Sequence, residues 1–138
     1  MEKIKYSMNL MKFISVFEAI SNVKVKDAIE SNDTIIFIVE ENQIAKAIGR
    51  NGSNVRRFEH IIKKNVKIVE FSKDISDFIR NYVSPLEVRD IRNDNGTIIV
   101  HGNDIKTKSL LIGREKRNLS LLKSIAARYF EIKDIRVV

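Results

Sequence analysis

Asp27, Thr34 and Ile35 recur as Asp90, Thr97 and Ile98 at a spacing of 63 residues, and Ile48, Gly49, Arg50, Asn54 and Ile68 recur as Ile112, Gly113, Arg114, Asn118 and Ile132 at a spacing of 64. In a chain of 138 residues this repeat implies two small domains in tandem rather than a solenoid, since each copy carries its own helix, strand and core pattern. The step from 63 to 64 marks one residue inserted between a strand and the helix that follows it. Apolar residues make up 43% of the chain, enough for real cores. Only Ser72 and Lys73 separate the copies, with no glycine or proline run. The first domain is therefore read as residues 1–72 and the second as 73–138.

Hydrophobic spacing predicts the elements of each copy. Leu10, Met11, Phe13, Ile14, Val16, Phe17 and Ile20 follow the three-and-four spacing of a helix over 8–20. Val23, Val25 and Asp27 to Ile29 suggest a strand, Ser31-Asn32-Asp33 a turn, and Thr34 to Val39 a buried β-branched strand. Glu41 and Asn42 open a short helix that ends at Gly49. A second helix follows Gly52, with Ser53 or Asn54 as cap and Val55, Phe58, Ile61 and Ile62 as its buried stripe. Val66 to Phe71 closes the copy as a strand. The order recurs as a helix over 74–83, a strand over 86–92 introduced by Pro85, a tight Asn95-Gly96 hairpin turn and a strand over 97–101. Helices over 104–112 and 117–130 and a strand over 131–138 complete it.

Between the two short helices of the first copy lies Ile48-Gly49-Arg50-Asn51-Gly52-Ser53-Asn54-Val55. Glycine has no Cβ, so a nucleic-acid backbone can come close, while the amides opening the next helix and Arg50 supply donors and positive charge. One such motif could be no more than a helix stop and a turn. Its weight comes from the second copy, Ile112-Gly113-Arg114-Glu115-Lys116-Arg117-Asn118-Leu119, at the same place in the repeat.

Charge follows the loops. The chain carries +7 overall with a pI near 9.7. Residues 44–67 hold Lys46, Arg50, Arg56, Arg57, Lys63, Lys64 and Lys67 against Glu59 alone, +6. Residues 104–128 hold Lys106, Lys108, Arg114, Lys116, Arg117, Lys123 and Arg128 against Asp104 and Glu115, +5, which leaves −4 for the rest. A polyanion is the partner such a distribution suits. The bland alternative is that these are ordinary solvated helix faces.

Other chemistries find little support. The chain has no cysteine, which excludes disulfides and thiolate metal sites and fits a reducing, cytoplasmic setting. His60 and His101 are isolated and read as surface or strand residues, so neither metal nor cofactor is expected. No nucleotide-binding glycine loop, nucleophile elbow or paired-histidine motif occurs, and no enzyme is expected. Lys12, Ser15 and Glu18 interrupt the amino-terminal apolar residues, which read as a helix rather than a signal peptide, and no run is long enough to span a membrane. Tyr6, Tyr82 and Tyr129 are placed like core or helix-end residues, with no aromatic stacking platform.

The order helix, strand, strand, helix, Gly-x-x-Gly, helix, strand, with Ile48-Gly49-Arg50-Asn51-Gly52 as its loop, resembles the prokaryotic, type II KH domain. The duplicated pair resembles the archaeal NusA family of transcription elongation and termination factors, over everything from about residue 6 onward. The fold this implies is α+β, two tandem type II KH domains, each a three-stranded sheet packed against helices. The resemblance also implies single-stranded RNA as ligand, its backbone clamped by the loop over about four nucleotides and its bases in an apolar groove. By position, Lys46, Ile48, Gly49, Arg50, Asn51, Gly52 and Arg56 would form the first site: Gly49 and Gly52 give clearance, Arg50 and Arg56 charge, Asn51 a polar contact and Ile48 a groove wall.

Gly113, Arg114, Lys116 and Arg117 would form the second. There Lys116 replaces the second glycine and Glu115 brings in negative charge, so attraction with weaker clamping is expected. The polymerase-binding and S1 domains of longer bacterial relatives have no counterpart in these residues. RNA polymerase or another elongation factor is expected as a second partner, through the present surface or another subunit, and the protein is expected to be a monomer with no membrane contact. The alternatives are a KH protein of ribosome assembly or RNA processing, and a protein-assembly module whose basic face is incidental.

Overall fold

A computed structural model of the chain describes residues 8–138. The chain divides between Phe71 and Ser72 into two compact units. The first contains α1 (Met8–Ser21), β1 (Val25–Ser31), β2 (Thr34–Val39), α2 (Ile44–Ile48), α3 (Ser53–Ile62) and β3 (Asn65–Glu70). The second contains α4 (Ile75–Val83), β4 (Val88–Asp94), β5 (Thr97–Gly102), α5 (Ile105–Ile112), α6 (Arg117–Ala126) and β6 (Asp134–Val137). A single 3-10 turn joins α2 to α3, and another joins α5 to α6. Each unit is thus an α+β fold with one three-stranded sheet, in the element order that the sequence predicts.

In both sheets the middle strand is antiparallel to its predecessor and parallel to its successor, as in β1-β2-β3 with Phe37 opposite Ala28 and Ile68. A parallel pair requires a long crossover. Residues 40–64 and 103–133 are these crossovers, and each glycine loop is the bend between a crossover's two helices. The sheet topology therefore determines where the loop stands.

The first core centres on three phenylalanines with no exposure. Phe17 of α1 stacks on Phe37 of β2 at 4.6 Å, and Phe58 of α3 meets both edge-on at 5.6 and 5.4 Å. Leu10, Val23, Ala28, Ile35, Val39 and Ala47 surround them. Of the stripe expected on α3, Phe58 is buried and Val55 and Ile62 are half-buried, but Ile61 is 51% exposed. At 3.6 residues per turn Ile61 lies about 60° around the helix from Phe58, on the side opposite Val55 and Ile62. In the second unit Phe78 of α4 meets Tyr129 at 5.9 Å and Phe130 at 5.6 Å, while Tyr82 is buried. These positions suit the core or helix-end role expected of both tyrosines; Tyr6 lies outside the described residues.

Several boundaries differ from expectation. Glu41 and Asn42 form a turn, Asn42 at φ 67°, and α2 begins only at Ile44. The matching helix α5 has eight residues against five, because Asp104 caps it, its carboxylate accepting from the Thr107 amide at 2.7 Å. Gln43 makes no such bond. The fourth strand runs Val88–Asp94 rather than 86–92. The last helix stops at Ala126, residues 127–129 turning back in i→i−3 and i→i−4 bonds, and β6 is confined to Asp134–Val137. The Asn95-Gly96 turn forms as expected, with φ of 50° and 95°, the primed geometry that matches strand twist.

Bonds from Thr107 hold the Asp104 carboxyl below the usual carboxylate range, and the nearby Lys106 adds to this. A depressed folded pKa contributes stability above the unfolded value that is lost as pH falls through the folded one. The native protein is therefore expected to lose thermal stability below about pH 4 more steeply than Asp104→Asn, which keeps a capping oxygen but cannot titrate. Melting curves between pH 7 and pH 3 check this, and parallel profiles would contradict it. Among the described residues no helix is long and apolar enough to cross a membrane.

Candidate nucleic-acid interface

Gly49 ends α2 at φ 82°, ψ 167°, a region that essentially only glycine occupies. Arg50, Asn51 and Gly52 make one tight turn, with Asn51 at φ 55°, ψ 30° and Gly52 at φ 74°, ψ 18°, closed by the Gly52 amide donating to the Gly49 carbonyl at 3.0 Å. The second loop has the same backbone. Gly113 stands at φ 75°, ψ 170°, Glu115 at φ 55°, ψ 30° and Lys116 at φ 61°, ψ 23°, with Lys116 donating to Gly113 at 3.2 Å.

This geometry explains which glycine the second copy keeps. Gly113 cannot be replaced because its backbone region excludes a Cβ. Lys116 stands in the left-handed region, where a side chain costs on the order of 1–2 kcal/mol but is permitted. The substitution at Lys116 therefore leaves the path of the chain intact. It changes only what projects from it.

The two glycines of the first loop face different surroundings. A Cβ on Gly49 would lie 2.8 Å from both Asn54 Cγ and Ser53 Oγ, so that side is filled by the chain itself. A Cβ on Gly52 would meet only Arg56 Nη1, at 3.1 Å, the far end of a flexible side chain. The clearance expected of both glycines is thus an open surface at Gly52, whereas Gly49 is required by the fold.

The helices that open from the loops, like α2, lack the side-chain caps that α4 and α5 carry. Asp74 and Asp104 cap α4 and α5 through side-chain oxygens. The residues before α3 and α6 are Gly52 and Lys116, and neither makes a side-chain cap bond. The expected caps Ser53 and Asn54 are not caps, because Gly52 already occupies that position and the Asn54 carboxamide points back toward α2. Two helix N-termini without side-chain caps and with partial positive charge therefore adjoin the turns, the first amide of each, Ser53 and Arg117, donating to the Arg50 and Arg114 carbonyls.

Around the first loop Lys46, Arg50, Arg56 and Arg57 are exposed, and none is held in an ion pair among the described residues; Lys63 is exposed too, but at the far end of α3. Arg56 donates through Nη1 to the Asn51 carbonyl, which braces the turn and leaves its charge beside Gly52. Ile48 is half-buried at the end of α2. Two cations counted from the sequence are engaged elsewhere: Lys64 pairs with Glu30 at 3.2 Å, and burial in β3 lowers the pKa of Lys67. At the second loop Arg114, Lys116 and Arg117 are exposed, but Glu115 lies 3.8 Å from Arg117. Lys123 is tied to Asp134 at 2.7 Å. The surroundings of the second loop are thus the less positive.

His60 is exposed and His101 Nδ1 lies 2.5 Å from Asp90 Oδ1, a pairing across β4 and β5. No group of three or more potential metal ligands forms among the described residues. Sequence reading missed Asn54 and Asn118 as site residues, although their recurrence at the repeat spacing signalled them.

The KH domain family profile matches residues 7–95. Three archaeal proteins, each named "Probable transcription termination protein NusA", align over nearly the whole chain. That of Methanocaldococcus jannaschii is 30% identical over 100% of this chain and 77% of its own length. That of Thermoplasma acidophilum is 29% identical over 99% of this chain and 97% of its own. That of Methanococcus vannielii is 29% identical over 99% and 80%. The crystal structure of the protein APE1850 superposes with a TM-score of 0.72 over 96% of this chain and 100% of that one, at 23% identity, a likeness of fold. With two such units, each bent around the same loop, the chain belongs to the KH-domain family and is a NusA-like protein of the archaeal type.

Proposed function

We propose that this protein is a single-stranded RNA-binding transcription factor of the NusA type that grips the RNA backbone at the Gly49–Gly52 turn. The observation that carries this is the open face at Gly52, beside a helix N-terminus without a side-chain cap and four exposed cations, Lys46, Arg50, Arg56 and Arg57, held in no ion pair among the described residues. A phosphate seated there accepts from main-chain amides at the start of α3 and is neutralised by Arg50, with Lys46 and Arg56 flanking. Ile48 offers apolar surface to a base. We read the two KH domains as residues 1–72 and 73–138, with Gly113, Arg114, Lys116 and Arg117 as a second and weaker backbone contact.

A clamp of this kind holds RNA and requires no reacting group, so the protein acts by binding and not by catalysis. Transcription termination is the process that the names of the relatives support; we extend the reading to elongation, with RNA polymerase or another elongation factor as second partner. Crosslinking the protein to RNA in cells and sequencing the recovered RNA tests the assignment. Nascent transcripts are expected. Recovery dominated by ribosomal RNA precursors would transfer the protein to ribosome assembly, and recovery of no RNA would leave it a protein-assembly module.

A further inference from the structure

We propose that Asn54, and Asn118 in the second copy, are positioning residues that hold each loop in its receptive conformation; this rests on the RNA-binding reading above. An α-helix leaves its last carbonyls without partners from its own backbone. In α2 the Gly49 amide still reaches the Ala45 carbonyl at 3.0 Å, and the chain leaves the helix at that residue. The next carbonyl, that of Lys46, accepts instead from Asn54 Nδ2 at 3.0 Å. In the second copy the Leu110 carbonyl accepts from Asn118 Nδ2 at 2.8 Å. In both the donor lies eight residues beyond the acceptor, across the turn.

The carboxamide thus substitutes for the amide that another helical turn would have supplied, and it ties the end of one helix to the start of the next. Its path needs the first glycine. A Cβ would lie 2.8 Å from Asn54 Cγ at Gly49 and 2.6 Å from Asn118 Cγ at Gly113. The glycine and the asparagine are a matched pair, which accounts for their joint recurrence while the second glycine becomes lysine. Asparagine is among the best helix caps, yet neither residue caps its own helix. Each side chain is committed to the cross-link, and the first-turn amides are left without a side-chain acceptor. A loop ordered in advance loses less entropy when a ligand seats on it.

The test measures affinity for a fluorescent single-stranded RNA 12-mer at several salt concentrations, with amide hydrogen exchange and melting of the unliganded protein, for native, Asn54→Ala and Gly52→Asp chains. For Asn54→Ala the expected loss of affinity is about tenfold, equivalent to one lost hydrogen bond to a helix end. The salt slope is expected to stay unchanged, since no phosphate contact is lost. Exchange at residues 49–53 is expected to quicken at least about fivefold while the melting temperature holds, as local opening of the turn requires. Affinity within about twofold of native, or a full loss of affinity with unchanged exchange, would overturn the positioning role, the latter because Asn54 would then touch RNA itself. A native protein without affinity for RNA would overturn the clamp reading instead, and the Gly52→Asp chain marks the floor against which that result is judged.

Discussion

Gly52→Asp is expected to weaken single-stranded RNA binding at least about tenfold and to leave the fold intact. Two effects act together. The new Cβ fills the one side of the turn that the chain leaves open, meeting only the tip of Arg56 at 3.1 Å, and the carboxylate brings negative charge to where a phosphate would lie. The cost to folding is small, about 1 kcal/mol, because Gly52 stands in a left-handed region that aspartate tolerates better than most residues. Lys116 is the equivalent position, and Lys116→Asp is the informative control. It changes the charge by two where Gly52→Asp changes it by one, so a purely electrostatic account predicts the larger loss there. The clamp account predicts the smaller loss, because the second loop already carries a side chain at that point and Glu115 beside it. Fluorescence anisotropy with one RNA ligand measures both; unchanged affinity in Gly52→Asp would rule out a clamp at that turn.

Salt is expected to have the larger effect. If four to six phosphates are neutralised, the single-strand coefficient gives a log-log slope of about −3 to −4. Affinity should then fall from about fifty- to about three-hundredfold between 50 and 200 mM monovalent salt. Arg50→Ala should reduce the steepness by about 0.7, the share of one phosphate. Lys64→Ala should change it little, because that ammonium is already paired with Glu30. A flat profile, or affinity that does not increase with RNA length, would show that the basic face serves some other partner.

Hydrophobic spacing located the strands and the longer helices because each buries a face, and burial imposes a period on the sequence; the short α2, which buries only Ala47, was placed by the residues that flank it. Phe17, Phe37 and Phe58 were legible by that period. Ends were less so. Whether α2 starts at Glu41 or Ile44 depends on Asn42 taking a positive φ, and whether Arg117–Phe130 is one helix depends on where the chain must turn to bring β6 beside β5. Lys64 and Lys67 counted as available charge in the sequence, but the sheet pairs one with Glu30 and half-buries the other.

What the sequence determined by itself was the duplication, the order of elements, the place of each loop and the segregation of positive charge, since all of these are matters of composition and spacing along the chain. Only the tertiary structure separated the two glycines, one required by a crossing asparagine and the other left open, and only it directed the Asn54 carboxamide backward to α2 instead of onto its own helix. The physical reason is that a hydrogen bond over eight residues and the space beside a Cα depend on how two helices meet across a bend, and no periodicity in the sequence encodes that meeting.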